Sequence, residues 1–120
     1  ETLDINQLNT SGLINAEGMF EASGIRSIDL SKNDFSNVQN MCYFVADCYN
    51  LEKIVFPQTP SVTNLRYALT KVGQGDVYPT KIEGNLTTTM CKNMSYMFLQ
   101  LMRQRLIFTI LKRILPMIPI

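Results

Sequence analysis

The 120-residue chain contains no histidine, and this absence removes whole classes of function. Histidine is the commonest general base of enzymes and the commonest metal ligand in proteins. A glycine-rich phosphate loop is missing as well, because the segment VGQGDVYP (72–79) lacks the helix and the lysine that such a loop requires. No nucleophile has a base near it. We therefore expect no enzyme, no catalytic residues, no cofactor and no metal site.

An excess of charge of one sign is also missing. Eleven lysines and arginines stand against ten acidic residues, which gives a net charge of +1. Such a balance creates no overall field that would gather nucleic acid or an acidic substrate. Apolar residues make up 46% of the chain, which is typical of a folded protein, and 120 residues allow at most one ordinary domain. We expect no nucleic-acid partner.

The chain has few cysteines, and they cannot all be paired with one another. Its three cysteines, Cys42, Cys48 and Cys91, form no CxxC motif, and an odd number leaves at least one thiol unpaired. We favour small buried hydrophobic side chains, since free cysteine is among the most buried residue types, while a Cys42–Cys48 or Cys48–Cys91 disulfide stays open. The first residues, ETLDINQLN, lack the basic and apolar regions of a secretion signal, which indicates an excised segment or mature fragment.

What the chain does contain is a ten-residue sequence motif that occurs four times. We call each copy a word. The copies are SGLINAEGMF (11–20), SNVQNMCYFV (36–45), PSVTNLRYAL (60–69) and TMCKNMSYMF (89–98). When the copies are aligned, two columns keep one kind of residue in every copy. The first is an asparagine column, Asn15, Asn40, Asn64 and Asn93. The second is an apolar column, Phe20, Val45, Leu69 and Phe98. The steps between the asparagines are 25, 24 and 29 residues, a period typical of stacked repeats.

Each word predicts a short helix, and a short strand precedes it. Apolar residues fall at i, i+3, i+6 and i+7, which is one face of two helical turns. The strands are predicted from alternating apolar residues at LDI (3–5), IDL (28–30), IVF (54–56) and, less regularly, IEG (82–84). The predicted fold class is α/β, a right-handed solenoid of about four strand, turn and short-helix rungs over 1–24, 25–50, 51–75 and 76–98.

The asparagine column has two interpretations. A short amide at a tight bend bonds the backbone of its own and neighbouring rungs, and we favour this use. The alternative is four solvent-facing asparagines on helices.

Two segments carry a likeness to a known family. IDLSKNDFSNVQNMCYFVADCYNLEKIVF (28–56) and KNMSYMF (92–98) resemble the repeat of BspA-like leucine-rich repeat surface proteins, which are bacterial lipoproteins or wall-anchored proteins and also occur in some parasitic protists. The likeness covers about residues 1–98 and is most specific in the second repeat, at Ser36, Val38, Asn40, Met41 and Cys48.

The resemblance implies a leucine-rich-repeat-like solenoid on the cell surface. Its implied function is extracellular, non-catalytic adhesion or protein–protein contact, with a protein or host-surface macromolecule as partner. Neighbouring repeats of a longer parent chain are implied as further contacts. The alternative is a structural spacer that holds a distal binding domain away from the cell.

The outer side of the strands is the candidate partner-binding surface. If Ile28 and Leu30 point inward, the residues between and beside them point out. This places Asp4, Asp29, Val55 and Glu83 in one outward column, and Thr2, Ser27, Lys53 and Lys81 in another. The candidate partner-binding residues are Asp4, Asp29, Lys53, Lys81 and Glu83. An ordinary solvated face of mixed charge is the alternative.

The segment 99–120, LQLMRQRLIFTILKRILPMIPI, breaks the repeat pattern. It is apolar and basic, with no acidic residue, and is too short and too charged for a stable membrane span. One interpretation is an amphipathic segment on a membrane surface, and another is a cap over the last rung. We favour a third, translation from a shifted reading frame, which would leave the tail without a selected function.

Overall fold

The computed structural model describes residues 2–73 and 80–98 of the chain, and within them four short strands form one sheet. The strands are β1 (Thr2–Leu3), β2 (Ser27–Asp29), β3 (Lys53–Phe56) and β4 (Lys81–Gly84). They lie parallel in the order β1-β2-β3-β4, so each strand pairs with the next along the chain. Leu3, Ile28, Ile54 and Ile82 form one register line across the sheet.

A second line of backbone pairing runs through the asparagine column. Parallel bridges join Asn15 to Asn40, Asn40 to Asn64 and Asn64 to Asn93. Each repeat therefore makes one circuit that places a strand and an asparagine against the next circuit. We call these circuits coils 1 to 4, over residues 2–24, 25–50, 51–73 and 80–98.

The predicted fold class, an α/β solenoid with a short helix in every rung, is wrong. The described parts of the chain contain strands and turns and no helix. The reason lies in where the backbone N–H groups of each word donate. The N–H groups of Met41, Tyr43 and Val45 donate to coil 3, at distances of 2.9, 3.0 and 3.0 Å. A helix would instead direct them to carbonyl groups four residues back.

Left-handed residues break each word into successive turns. The third residue after each asparagine has a positive φ, 62° at Gly18, 57° at Tyr43, 59° at Tyr67 and 58° at Tyr96. In coil 2, the Phe44 N–H donates to the Met41 carbonyl at 3.1 Å, which places Tyr43 third in the turn. A type II turn needs a positive φ at that position. A right-handed helix cannot continue through such a residue.

The same word therefore places its apolar residues inward without a helix. Phe44 is fully buried and lies in edge contact with Phe20 and Phe35, with ring centroids 5.3 and 6.0 Å away. Phe56 at the end of β3 completes the aromatic centre, 6.1 Å from Phe44. A radius of gyration of 13.1 Å is that of a compact globule for a chain of this length. The core thus joins the inner side of the sheet to the inner side of the turns.

Two predicted features lie outside the described residues. These are part of the glycine-rich insert, residues 74–79, and the tail 99–120 with its membrane, cap and frame-shift interpretations. Within 2–73 and 80–98, the structure has no helix of the length and apolar character that crossing a membrane demands.

Candidate functional site

The outward side of the strands is a surface of mixed charge, which we call the sheet face. It consists of the side chains of Ser27, Asp29, Lys53, Val55, Lys81 and Glu83. Asp29, Lys81 and Glu83 are exposed, and the other three are half-buried. Ser27, Lys53 and Lys81 share one register line, and Asp29, Val55 and Glu83 share the next. Neighbouring strands lie about 4.8 Å apart, so these charges form a closely spaced array.

One ion pair joins two of the predicted binding residues. The Lys53 Nζ lies 3.8 Å from Glu83 Oε1, and both side chains are nearly half exposed. Such exposed pairs stabilise a protein by about 0–1 kcal/mol, so this contact orients the two side chains more than it holds the fold. Lys81 has no ion pair with any described residue.

Asp29 is held in its charged form by its own loop. The Ser31 hydroxyl and backbone N–H both donate to the carboxylate, the N–H at 2.8 Å, and Lys53 and Lys32 lie near enough to add to the effect. Together these contacts lower the pKa of Asp29 below its usual value of 3.8. The carboxylate therefore stays ionised at neutral pH and is available to a cationic partner group.

Asp4 stands apart from the other four predicted residues. Strand β1 ends at Leu3, so Asp4 has no register partner in the sheet, and its carboxylate accepts the Asn6 N–H at 2.9 Å. Strand pairing thus stops short of Asp4, which the sequence places in the same outward column as Asp29. Instead the sheet face gains a pair at its entry edge, where Arg26 Nη1 lies 3.5 Å from Glu52 Oε2. Arg26 and Glu52 each immediately precede a strand, and this shared position in the repeat is the sequence signal that could have predicted their ion pair.

The four asparagines serve the turns. Each side-chain Oδ1 accepts the backbone N–H two residues ahead, at 2.9 Å for Asn15, Asn40 and Asn64 and 3.0 Å for Asn93. This Asx-turn geometry satisfies a backbone donor at the bend where the chain leaves one line of pairing. Asn40 also reaches the neighbouring coil, since its Nδ2 donates to Glu17 Oε1 at 3.0 Å.

The apolar column supplies core contacts. Phe20, Val45 and Leu69 are buried, and Phe98 in coil 4 is half-buried against the same core.

A row of stacked tyrosines is the largest feature that the sequence analysis missed. Tyr43 stacks on Tyr67 with centroids 4.8 Å apart, and Tyr67 stacks on Tyr96 at 5.0 Å. The guanidinium of Arg66 lies 5.0 Å from the Tyr67 centroid and 5.9 Å from that of Tyr96. We call Tyr43, Tyr67 and Tyr96 the tyrosine ladder. Its signal was a tyrosine three residues after three of the four asparagines, with Gly18 in the remaining copy.

Stacking in the ladder offsets part of the strain of its own backbone. A left-handed conformation costs a residue other than glycine about 1–2 kcal/mol. Aromatic pairs stabilise by about 0.5–1.5 kcal/mol beyond the burial of their area. Each of the three tyrosines has a positive φ and at least one stacked neighbour. Two stacked pairs thus recover part of the cost of three left-handed residues. Tyr43 and Tyr67 are half-buried, and Tyr96 is exposed.

A polar groove lies beyond the carboxyl ends of β2, β3 and β4. It has a volume of about 340 Å³, and its lining includes Lys32, Asp34, Gln58, Pro60 and Asn85. The Ser36 hydroxyl and N–H donate to Asp34 and lower the pKa of that carboxyl group. Asn33 also lines the groove and is buried, and its Nδ2 donates to the Ile5 carbonyl at 3.1 Å.

The cysteines occupy inert positions. All three are free, with Cys42 and Cys48 buried and Cys91 half-buried. Burial raises the pKa of each thiol, and the Cys48 Sγ donates to the Phe20 carbonyl at 3.0 Å. Among the residues of 2–73 and 80–98, no group of three or more metal-ligating side chains comes together.

Comparison with known proteins gives no relative. The chain matches no family model, no curated protein and no solved structure. Its resemblance to BspA-like surface proteins therefore rests on the residues of the repeats.

Proposed function

We propose that this chain is a non-catalytic binding module of a BspA-like surface protein, which acts outside the cell and contacts a protein or host-surface macromolecule. The observation that supports this proposal is the sheet face, where Asp29, Lys53, Lys81 and Glu83 stand outward on adjacent strands in register. Their backbones are fixed by strand pairing, so the positions of the charges are set before a partner arrives. A surface ordered in advance loses less entropy on binding.

The mixed charge of the sheet face suits a protein partner with a matching pattern. Lys81 has no ion pair with a described residue, and Asp29 keeps its charge at neutral pH. Complementary charge mainly sets orientation and association rate, and exposed charges are screened over about 8 Å at physiological salt. We therefore expect binding that weakens as salt concentration rises.

Charge reversal tests the proposal. The full 120-residue chain is applied to immobilised fibronectin, type I collagen and mucin, and binding is measured at low and physiological salt. The Asp29→Lys and Lys53→Glu variants should each lose most of the binding. Lys92→Glu, at an exposed position in the word of coil 4 and away from the sheet face, is the matched control and should bind as the wild type does.

Two outcomes would contradict the proposal. Binding that persists in Asp29→Lys and Lys53→Glu would exclude the sheet face as the contact surface. An absence of binding by the wild-type chain to all three probes would favour the alternative, a structural spacer within a larger surface protein.

A further inference from the structure

The tyrosine ladder has one empty position, at coil 1. The ladder column continues from Tyr96, Tyr67 and Tyr43 to Gly18, which has the same left-handed backbone but no side chain. The Gly18 N–H donates to the Cys42 carbonyl at 2.9 Å, just as the Tyr43 N–H donates to the Arg66 carbonyl at 3.0 Å. Gly18 therefore lies beside Tyr43 in the same relation as Tyr43 to Tyr67. Within the described chain, no ring stacks on the Gly18 side of Tyr43.

Carboxylates flank this empty position. The Oε1 of Glu21 lies 2.9 Å from the place where a Cβ on Gly18 would stand, so this flexible carboxylate lies within the space that a ladder side chain would take. Glu17 directly precedes Gly18 in the chain, and its carboxylate accepts a hydrogen bond from Asn40 Nδ2 at 3.0 Å. Both glutamates are exposed, and neither has an ion pair with a described residue.

The chain already contains a cation on the ladder. Arg66 places its guanidinium 5.0 Å from the centre of Tyr67. Glu17 occupies the position in coil 1 that Arg66 occupies in coil 3, two residues after the asparagine. At the open end of the ladder the local charge is thus negative, whereas at Tyr67 it is positive. A neutral ring could stack on Tyr43, but only a cation would also neutralise the two carboxylates.

We propose that the open face of Tyr43 above Gly18 binds an arginine side chain of a partner protein, with its guanidinium stacked on the ring and paired with Glu21 and Glu17. A planar guanidinium suits this site because it stacks on aromatic faces and presents a fork of donors to carboxylates. A lysine ammonium has the charge but not the planar fork. The site lies on the turn side of the coils, so it is separate from the sheet face and does not depend on its function.

Nuclear magnetic resonance titration of the full chain tests this site. The probe is the tripeptide acetyl-Gly-Arg-Gly-amide, with the lysine and citrulline tripeptides as comparators. The arginine peptide should cause saturable shifts at Gly18, Glu21 and Tyr43, with a dissociation constant on the order of millimolar, as one side chain provides. The lysine peptide should bind several-fold more weakly, and the uncharged citrulline peptide should not saturate.

Three variants make the test specific. Gly18→Tyr should abolish the saturable shifts by placing a ring on Tyr43. It should fold, because Tyr43, Tyr67 and Tyr96 adopt the same φ and only the flexible end of Glu21 has to move aside. Glu21→Gln should weaken binding about fivefold through the loss of one charge-assisted contact. Glu83→Gln, on the sheet face, should leave arginine binding unchanged.

Saturable binding that survives Gly18→Tyr would overturn the proposal, as would equal binding of the citrulline peptide or no response at Tyr43. These results are independent of the fibronectin, collagen and mucin assay, since they concern different residues on a different side of the molecule.

Discussion

The ring of Tyr43 lies flat on the ring of Tyr67, with planes 9° from parallel. This contact is possible because both residues have a left-handed backbone and equivalent places in successive coils. The stack therefore follows from the alignment of equivalent turns in successive coils.

The left-handed positions give the first prediction. Ala22 is exposed with a φ of 56°, a conformation that costs alanine about 1–2 kcal/mol and glycine little. Ala22→Gly should raise the free energy of unfolding by about 0.5–1 kcal/mol, once the larger chain entropy of glycine is included. Urea denaturation measures the difference.

The comparison variant for this prediction is Ala46→Gly, at a buried position without a positive φ. It should lower the free energy of unfolding by about 1–2 kcal/mol, through chain entropy and the loss of a buried methyl group. Destabilisation by Ala22→Gly of the size expected in a helix would contradict the turn conformation.

Glycine at the end of β4 gives the second prediction. Gly84 has a φ of 98°, and a Cβ there would clash with the backbone carbonyl and amide of Phe56 on the adjacent strand. Gly84→Ala should lower the free energy of unfolding by about 3 kcal/mol or more, since backbone atoms of a sheet cannot move aside. Gly24→Ala is the control, because a Cβ at Gly24 meets nothing within 4 Å. Equal stability of these two variants would rule out the close approach of β4 to β3.

The asparagine column gives the third prediction. In Asn40→Ala, the N–H of the buried residue Cys42 loses the acceptor that now lies 2.9 Å away. We expect the free energy of unfolding to fall by about 1–2 kcal/mol, the cost of an unsatisfied donor. Asn40→Asp keeps the acceptor and should retain part of this stability. Gln39→Ala, at an exposed neighbouring position, should change stability by less than about 0.5 kcal/mol.

The thiols give the fourth prediction. The thiolate is the reactive species, and burial raises the pKa of Cys42, Cys48 and Cys91. At pH 8, iodoacetamide should modify Cys48 far more slowly in the folded chain than in denaturant, as measured by mass spectrometry of peptides. Cys91 is less buried and should react before Cys48. Rapid alkylation of Cys48 under native conditions would show that coil 2 is open to solvent.

The register of the sheet could be predicted from the sequence, whereas the turns could not. Alternation at Ile28 and Ile54 identifies the inward residues of two strands, and the repeat spacing then aligns the outward charges. The sequence between Asn64 and Asn93 contains an insertion, yet the strand register is kept, because Ile54 still pairs with Ile82. Periodicity carries this information because each side chain in a strand has only two directions to choose from.

The helix prediction failed because turns and helices place apolar residues at similar spacings. Met41, Phe44 and Val45 are buried in either conformation, so their pattern does not distinguish the two. A positive φ at Tyr43 is contrary to the ordinary preference of tyrosine. The one informative signal was Gly18 in the tyrosine column, since glycine favours a left-handed backbone. The ladder position without a ring, beside Tyr43, is also due to Gly18. It was missed because the sequence analysis predicted a helix rather than a left-handed turn there.

Backbone hydrogen bonds that run from coil to coil distinguish this fold from a helical one. Scalar couplings across hydrogen bonds, measured by nuclear magnetic resonance on the labelled full chain, detect them directly. We predict couplings from the amide nitrogens of Met41, Tyr43 and Val45 to the carbonyl carbons of Asn64, Arg66 and Ala68. Couplings from the same nitrogens to carbonyl carbons four residues earlier in the chain would mean a helix, and would contradict the stacked coils.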